Sequence, residues 1–218
     1  MFCNSVTCEV DCVSMGRPPT NDDATRERLV SAATNLLRDR SSDRLSMREV
    51  AAAATASTTS IYTLFGSREG LLAAVRRRVA AQLFEVLVAV PAGDDPLTDL
   101  LAMASAYRRW ALDERHFYAV IFGGGTTYTP SGAPSDQDPA APLVEAISRV
   151  HASLHPTAEV NHIAVAVWAT LHGFVTLELD GTLPSAYIDA VIQTAVRSLV
   201  LGWHVPTSSS RYHGAPTG

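Results

Sequence analysis

The chain contains no lysine; all seventeen of its cations are arginine. With so much alanine, that points to a GC-rich genome and says little about function. Cysteine is almost as scarce, and Cys3, Cys8 and Cys12 all precede residue 13. The body of the chain therefore has no thiol and no disulfide, which fits a reducing cytoplasm. The C-x4-C-x3-C spacing matches no zinc pattern. Residues 1–14 lack periodicity, and Met15 opens a more ordinary start, so residues 1–21 are expected to be a disordered or mis-assigned extension. No basic segment precedes a long apolar core, which speaks against a signal peptide. No uninterrupted apolar run reaches the ~18 residues that cross a bilayer. The longest, Ile163 to Val175, is broken by His172 and Gly173. A cytoplasmic protein with no membrane partner is expected.

The signatures of catalysis are missing too. No glycine-rich phosphate loop follows a strand, no nucleophile elbow occurs, and no convincing strand is visible. The histidines His116, His151, His155, His162 and His172 include no H-E-x-x-H, and Pro156 ends the helix that carries His151 and His155. No catalytic residue, metal or cofactor is expected.

What the chain does have is an uneven distribution of charge. Its net charge is −5. Residues 15–79 carry eleven arginines against seven acids, a balance of +4, whereas residues 80–218 carry six arginines against thirteen acids, a balance of −7. A basic head on an acidic body is the asymmetry expected when one segment meets phosphate.

The apolar periodicity is helical throughout. Leu29, Ala33, Leu36 and Leu37 form one stripe on a helix over 23–38. Ser46-Met47-Arg48-Glu49 has the pattern of a capping box, which predicts a short second helix with Val50, Ala51 and Ala54 turned inward. After a break at Thr55-Ala56, Ser57 is the natural cap of a third helix ending at Phe65, where Gly66 stops it. Ser67 and Glu69 open a long fourth helix to about Val90. Asp95-Pro96 and Asp138-Pro139 each place a capping carboxylate before a proline, predicting helices over 97–113 and 140–155. A short helix over 115–122 lies between them, followed by a flexible loop over 123–138. Two further helices are expected, over 157–180 and from Pro184 to Trp203, with residues 205–218 a disordered tail.

Three short helices, the second and third joined by a tight turn, make a helix-turn-helix arrangement. Its third helix must be short and bear small polar side chains where it enters the major groove. Thr58, Thr59 and Ser60 supply that face, while Ile61, Leu64 and Phe65 supply the packing side. Tyr62 offers a hydroxyl to a phosphate, and Arg68 a second anchor beside the start of the fourth helix. No arginine or asparagine lies in Thr58–Phe65, so bidentate reading of guanine or adenine is not available from this helix.

At these residues the chain resembles a known family. Ser46-x-Arg48-Glu49-Val50-Ala51, Ser57 and Ile61-Tyr62-Thr63-Leu64-Phe65-Gly66-Ser67-Arg68-Glu69-Gly70-Leu71-Leu72 look like the DNA-binding domain of TetR-type transcriptional regulators. Thr55 stands where that pattern commonly has glycine, so the turn must either avoid positive φ or accept strain. Ala56 stands where valine is usual. The resemblance implies an all-α protein of about nine helices. In it, a DNA-binding domain over 22–80 precedes a helical ligand-binding and dimerisation domain over 81–204. It also implies a homodimer on a palindromic DNA operator, a repressor released by a small, largely apolar effector. The implied DNA-contacting residues are Arg48, Ser57, Thr58, Thr59, Ser60, Tyr62, Thr63 and Arg68. A DNA-binding repressor with no effector is the alternative.

In the second half, Trp168-x-x-x-His172-Gly173 is similar to a signature of one subgroup of these regulators. Trp168 and His172 share a helical face, as pocket wall or as core. Tyr107, Trp110, Phe117, Tyr118 and Phe122 cluster on the fifth and sixth helices, again as core or cavity lining. Met103, Tyr107, Trp110, Phe117, Phe122, Trp168 and His172 are the candidate pocket residues. The apolar faces of the last two helices, with Ile163, Val167, Leu171, Val175, Ile188, Val191, Ile192, Val196 and Leu199, suit a four-helix dimer interface or the monomer core.

Overall fold

A computed structural model describes residues 21–123, 140–154 and 158–203. The cysteines, the expected loop over 123–138 apart from Gly123, the break at His155-Pro156, the expected extension over 1–21 apart from Asn21, and the expected C-terminal tail lie outside the described residues. Within them the chain is entirely helical, with nine α-helices and one short 3-10 turn. The head comprises α1 (Asn21–Arg38), the 3-10 turn Ser42–Arg44, α2 (Met47–Ala53), α3 (Thr58–Phe65) and the start of α4 (Arg68–Val88). The body adds α5 (Pro96–Asp113), α6 (Arg115–Phe122), α7 (Ala141–Leu154), α8 (Val160–Leu179) and α9 (Ile188–Gly202). The all-α fold expected from periodicity is the one observed. A division at residue 80 falls inside α4, which runs unbroken from head to body.

Local signals set most helix ends. Ser57 accepts from the Ser60 amide at 3.0 Å, and Ser67 from the Gly70 amide at 3.0 Å. Asp95 accepts from the Leu97 amide at 3.1 Å ahead of Pro96. The capping box at Ser46 does not form. Ser46 makes no side-chain cap bond, and Glu49 turns instead to Arg40 at 3.0 Å. The ion pair supplied by the loop after α1 outcompetes the local reach back to the cap. The last two helices start later than their sequence signals, at Val160 and Ile188 rather than near residues 157 and 184.

One core runs through both parts. In the head, α1 packs on α2, α3 and α4, burying Leu29, Ala33, Leu37, Val50, Ala51 and Ile61. In the body, α5 lies against α4, α7, α8 and α9, and α8 packs along both α7 and α9. Buried Leu100, Ile147, Ile163, Val167, Ile188 and Ile192 fill this part. The α8 helix has the length and apolarity of a membrane-crossing segment, although no uninterrupted apolar run produces it. One face of the helix packs into this bundle, where Glu178 meets Arg108 of α5 in a two-pronged pair at 2.8 and 2.6 Å. Burial alone would raise the Glu178 carboxyl, but the Arg108 bonds and charge hold it below the usual glutamate range.

Candidate nucleic-acid interface and ligand cavity

The turn between α2 and α3 resolves the question posed by Thr55. Its φ is 51°, the left-handed region that glycine adopts freely and a β-branched residue does not. The Thr55 amide donates to the Ala52 carbonyl at 3.1 Å and the Ala56 amide to the Ala51 carbonyl at 2.9 Å. This is a Schellman closure with threonine at its left-handed position, and Ala56 packs inward as such closures require. The strain is accepted, and it fixes the angle at which α3 leaves α2.

On α3, Ile61 is fully buried, and Thr59, Tyr62 and Thr63 are exposed. Spaced at three and four residues, these three share the outward face. Tyr62 is 52% exposed, unusually open for an aromatic residue inside a packed domain. Thr58 and Ser60 are half-buried, and the Ser60 hydroxyl lies 2.9 Å from that of Ser57. Ser57 and Ser60 are thus engaged in capping. Arg48 on α2 is exposed, and among the described residues it enters no ion pair.

The other head arginines are mostly engaged within the fold. Arg26 donates to the Leu64 carbonyl and lies 4.6 Å from the Phe65 ring centre, clamping the end of α3 to α1. Arg28 donates to the Ala54 carbonyl at 3.3 Å. Arg68, a candidate phosphate anchor, donates to the Ser42 carbonyl and so ties α4 to the 3-10 turn. Arg78 pairs with Glu27 and donates to Ser31 at 2.7 Å. Much of the positive balance read from the sequence is therefore internal bracing. Gly70 was legible as part of the motif but not for its reason: a Cβ there would collide with the Phe65 carbonyl oxygen. Only glycine lets α4 start this close to α3.

In the body, Leu83 and Leu87 of α4, Leu100, Met103, Ala104 and Tyr107 of α5, Phe122, Leu143, Trp168 and Leu171 enclose an apolar cavity. Its volume is about 30 Å³, room for a water molecule or two and far below the several hundred Å³ of an occupied ligand site. Of the candidate pocket residues, Met103, Tyr107, Phe122 and Trp168 line it. Trp110 lies instead on an outer groove between α4 and α5, and Phe117 is closed into the core beneath the Arg38 guanidinium. His172 faces a second, open groove of about 460 Å³ with Ser41, Arg115, His116, Tyr118, Thr176 and Asp180.

The His172 ring is stacked between Trp168, at 5.3 Å, and Tyr118, at 5.5 Å, with Phe122 edge-on at 4.8 Å. Its Nδ1 is 2.6 Å from the Tyr118 hydroxyl, which also lies 3.2 Å from the Thr176 hydroxyl. Burial among these rings pushes the His172 pKa down, so the imidazole is neutral at pH 7, and burial pushes the Tyr118 phenol up. Sequence spacing found Trp168 and His172. Thr176, four residues further along the same α8 face, carried the same signal, whereas the Tyr118 bond depends on how α6 docks and had none. Among the described residues no three histidine, cysteine or acidic side chains come close enough to hold a metal ion.

The α6 helix also touches the head. Arg38 of α1 pairs with Glu114 at 2.6 Å, and Arg76 of α4 donates to the Val120 carbonyl at 2.9 Å.

Comparison with known proteins bears on both parts. A model of bacterial regulatory proteins of the tetR family matches residues 29–75, and one of the tetracyclin repressor-like C-terminal domain matches residues 100–199. The chain is 29% identical over 182 residues to the uncharacterised HTH-type transcriptional regulator Rv0681 of Mycobacterium tuberculosis, covering 82% of this chain and 81% of that protein. A solved structure of a protein of unknown function from Rhodococcus sp. RHA1 matches with a TM-score of 0.66 at 26% identity, over 86% of this chain and all of that one. The structure of RolR in complex with resorcinol matches with a TM-score of 0.61 at 18% identity, over 85% of this chain and 95% of that one. At that identity the likeness is one of fold.

Proposed function

Because the chain belongs to the TetR family of transcriptional regulators, and so is a DNA-binding regulator rather than an enzyme, we propose that it is a cytoplasmic homodimeric repressor. It binds a palindromic operator and is released by a small, largely apolar effector. One observation carries the DNA-contact part of this reading: α3 holds Thr59, Tyr62 and Thr63 outward on a short, capped helix braced from α1 and α4. Threonine hydroxyls and methyls suit base edges and thymine methyls, and the Tyr62 hydroxyl suits a phosphate. Thr58, Ser60 and Arg48 flank them, with Ser57 and Arg68 in supporting positions.

Two heads must sit one helical turn apart, ~34 Å on B-DNA. The surface of α8 and α9 favours the required dimer. Val165, Ala169, Gly173 and Leu177 recur every fourth residue on α8, with Val165 and Leu177 exposed, and Leu201 is exposed on α9. Among the described residues a Cβ on Gly173 would meet nothing within 4 Å, which leaves this face open to the close approach of a second copy. Effector binding in the body acts on α6, whose ties to Arg38 and Arg76 reach α1 and α4. It shifts the population of head poses away from the operator spacing, and a few kcal/mol of differential affinity suffices. The resorcinol complex of RolR supports the idea that this fold accommodates a small ring compound. The near-closed cavity favours the second reading, a repressor that needs no effector.

Selection from random DNA followed by footprinting tests the proposal. The expected product is a palindrome with half-site centres about one helical turn apart. Enrichment of no sequence, or of a single unrepeated site, contradicts a dimeric operator-binding protein.

A further inference from the structure

The apolar cavity and the open groove share one wall residue, Phe122. Leu83 and Leu100 of the cavity wall are fully buried among other helices, whereas Met103, Trp168 and Phe122 are partly buried. Of these three, Phe122 is the one that ends α6 and also faces the groove. On the cavity side the described wall residues include no charged side chain, and their polar side-chain groups are the Tyr107 hydroxyl and the Trp168 indole N–H. On the groove side, immediately past the Phe122 ring, stand Tyr118, His172 and Thr176. Tyr107 continues this polar line inward, its hydroxyl acting on the Tyr118 phenol. Moving one ring would therefore join an apolar chamber to a neutral hydrogen-bonding pair.

We propose that the effector is an uncharged aromatic or short-chain apolar molecule ending in a hydroxyl group. Its apolar part displaces the Phe122 ring and fills the cavity between α4, α5, α7 and α8, while its hydroxyl bonds with His172 and Tyr118. This rests on the effector-released function proposed above and names the chemistry of that effector. A hydroxyl both donates and accepts, so it satisfies either tautomer of a neutral imidazole and either orientation of a phenol. A carboxylate or an ammonium would have to shed water into a chamber with no opposite charge. The charged side chains among the described groove residues, Arg115 and Asp180, are of opposite sign and give neither ion an advantage.

Calorimetric titration of the full-length protein with four probes that share one ethylbenzene body tests this: 4-ethylphenol, ethylbenzene, 4-ethylbenzoate and 4-ethylbenzylamine. The phenol is expected to bind about ten-fold tighter than the hydrocarbon, and the two ions not measurably. Phe122→Ala should tighten both neutral probes. Combined Tyr118→Phe and His172→Leu should erase the phenol's advantage while leaving ethylbenzene affinity unchanged. Tyr118→Phe alone should at least halve that advantage if the pair of changes prevents folding. Benzoate or benzylamine binding as tightly as the phenol overturns the proposal. So does an advantage that survives both substitutions, or failure of every probe to bind even Phe122→Ala. Operator release is measured separately. A phenol that binds as described but leaves the operator occupied upholds the site chemistry and contradicts effector-driven release.

Discussion

The head and the body place their charged side chains in contrasting ways. In the head, arginines reach across the surface from helix to helix, as Arg26, Arg28, Arg68 and Arg78 do, and the outward face of α3 is left to threonine and tyrosine. In the body, the Arg108–Glu178 pair is buried, the described wall of the cavity is uncharged, and the histidine of the neighbouring groove is neutral. In both parts the candidate functional surface is the uncharged one, and charge holds it in position. The contrast lies in how much each charge matters, because an exposed pair contributes little and a buried one cannot lose a partner cheaply.

The sharpest way to break the comparison is Arg108→Met. It strands Glu178 in the core and should cost about 3–5 kcal/mol in chemical denaturation, whereas Arg40→Met on the exposed Glu49 pair should cost under about 1 kcal/mol. The Glu178 carboxyl is held below the pKa of an unfolded glutamate. Its pairing therefore stabilises the fold above that unfolded value and fades as pH falls through the folded one. Arg108→Met should flatten this acid-side loss. Equal costs for the two substitutions would end the distinction.

Next in size is Gly70→Ala. The new methyl meets the Phe65 carbonyl, and the α3–α4 junction must open, at a cost of about 2–3 kcal/mol in thermal unfolding. Gly173→Leu is the counterpart on α8. It should leave the monomer's helicity intact, since among the described residues nothing lies within 4 Å of a Cβ there, and yet drive the proposed dimer to monomers in sedimentation. An unchanged dimer would place the interface elsewhere. The smallest effect is a gain: Thr55→Gly relieves the left-handed turn and should stabilise the head by about 1 kcal/mol.

The same contrast explains what could be read from the sequence. Head signals are local: Ser57 and Ser67 cap the helices they precede, and Ile61, Tyr62 and Phe65 divide α3 into faces by spacing alone. Two local signals were still misleading. The Ser46 capping box lost Glu49 to Arg40, and the positive balance of the head did not disclose that its arginines brace the fold. In the body, periodicity located the helices and placed Trp168 beside His172, yet Trp110 and Phe117 had the same aromatic signature as Phe122 and turn elsewhere. Which ring meets the cavity depends on how α6 docks against α5 and α8, a relation between separate helices that no local pattern encodes.

The central claim is that α3 makes its DNA contacts through an uncharged face held by arginines behind it. The most direct test is salt-titrated binding of the protein to DNA from its own promoter region, beside a Thr59→Ala, Tyr62→Ala variant. The wild type should bind tightly and weaken steeply with salt, and the variant should lose at least about ten-fold in affinity while keeping its fold and dimer. Variant binding equal to wild type would contradict the claim and move the DNA contacts off α3.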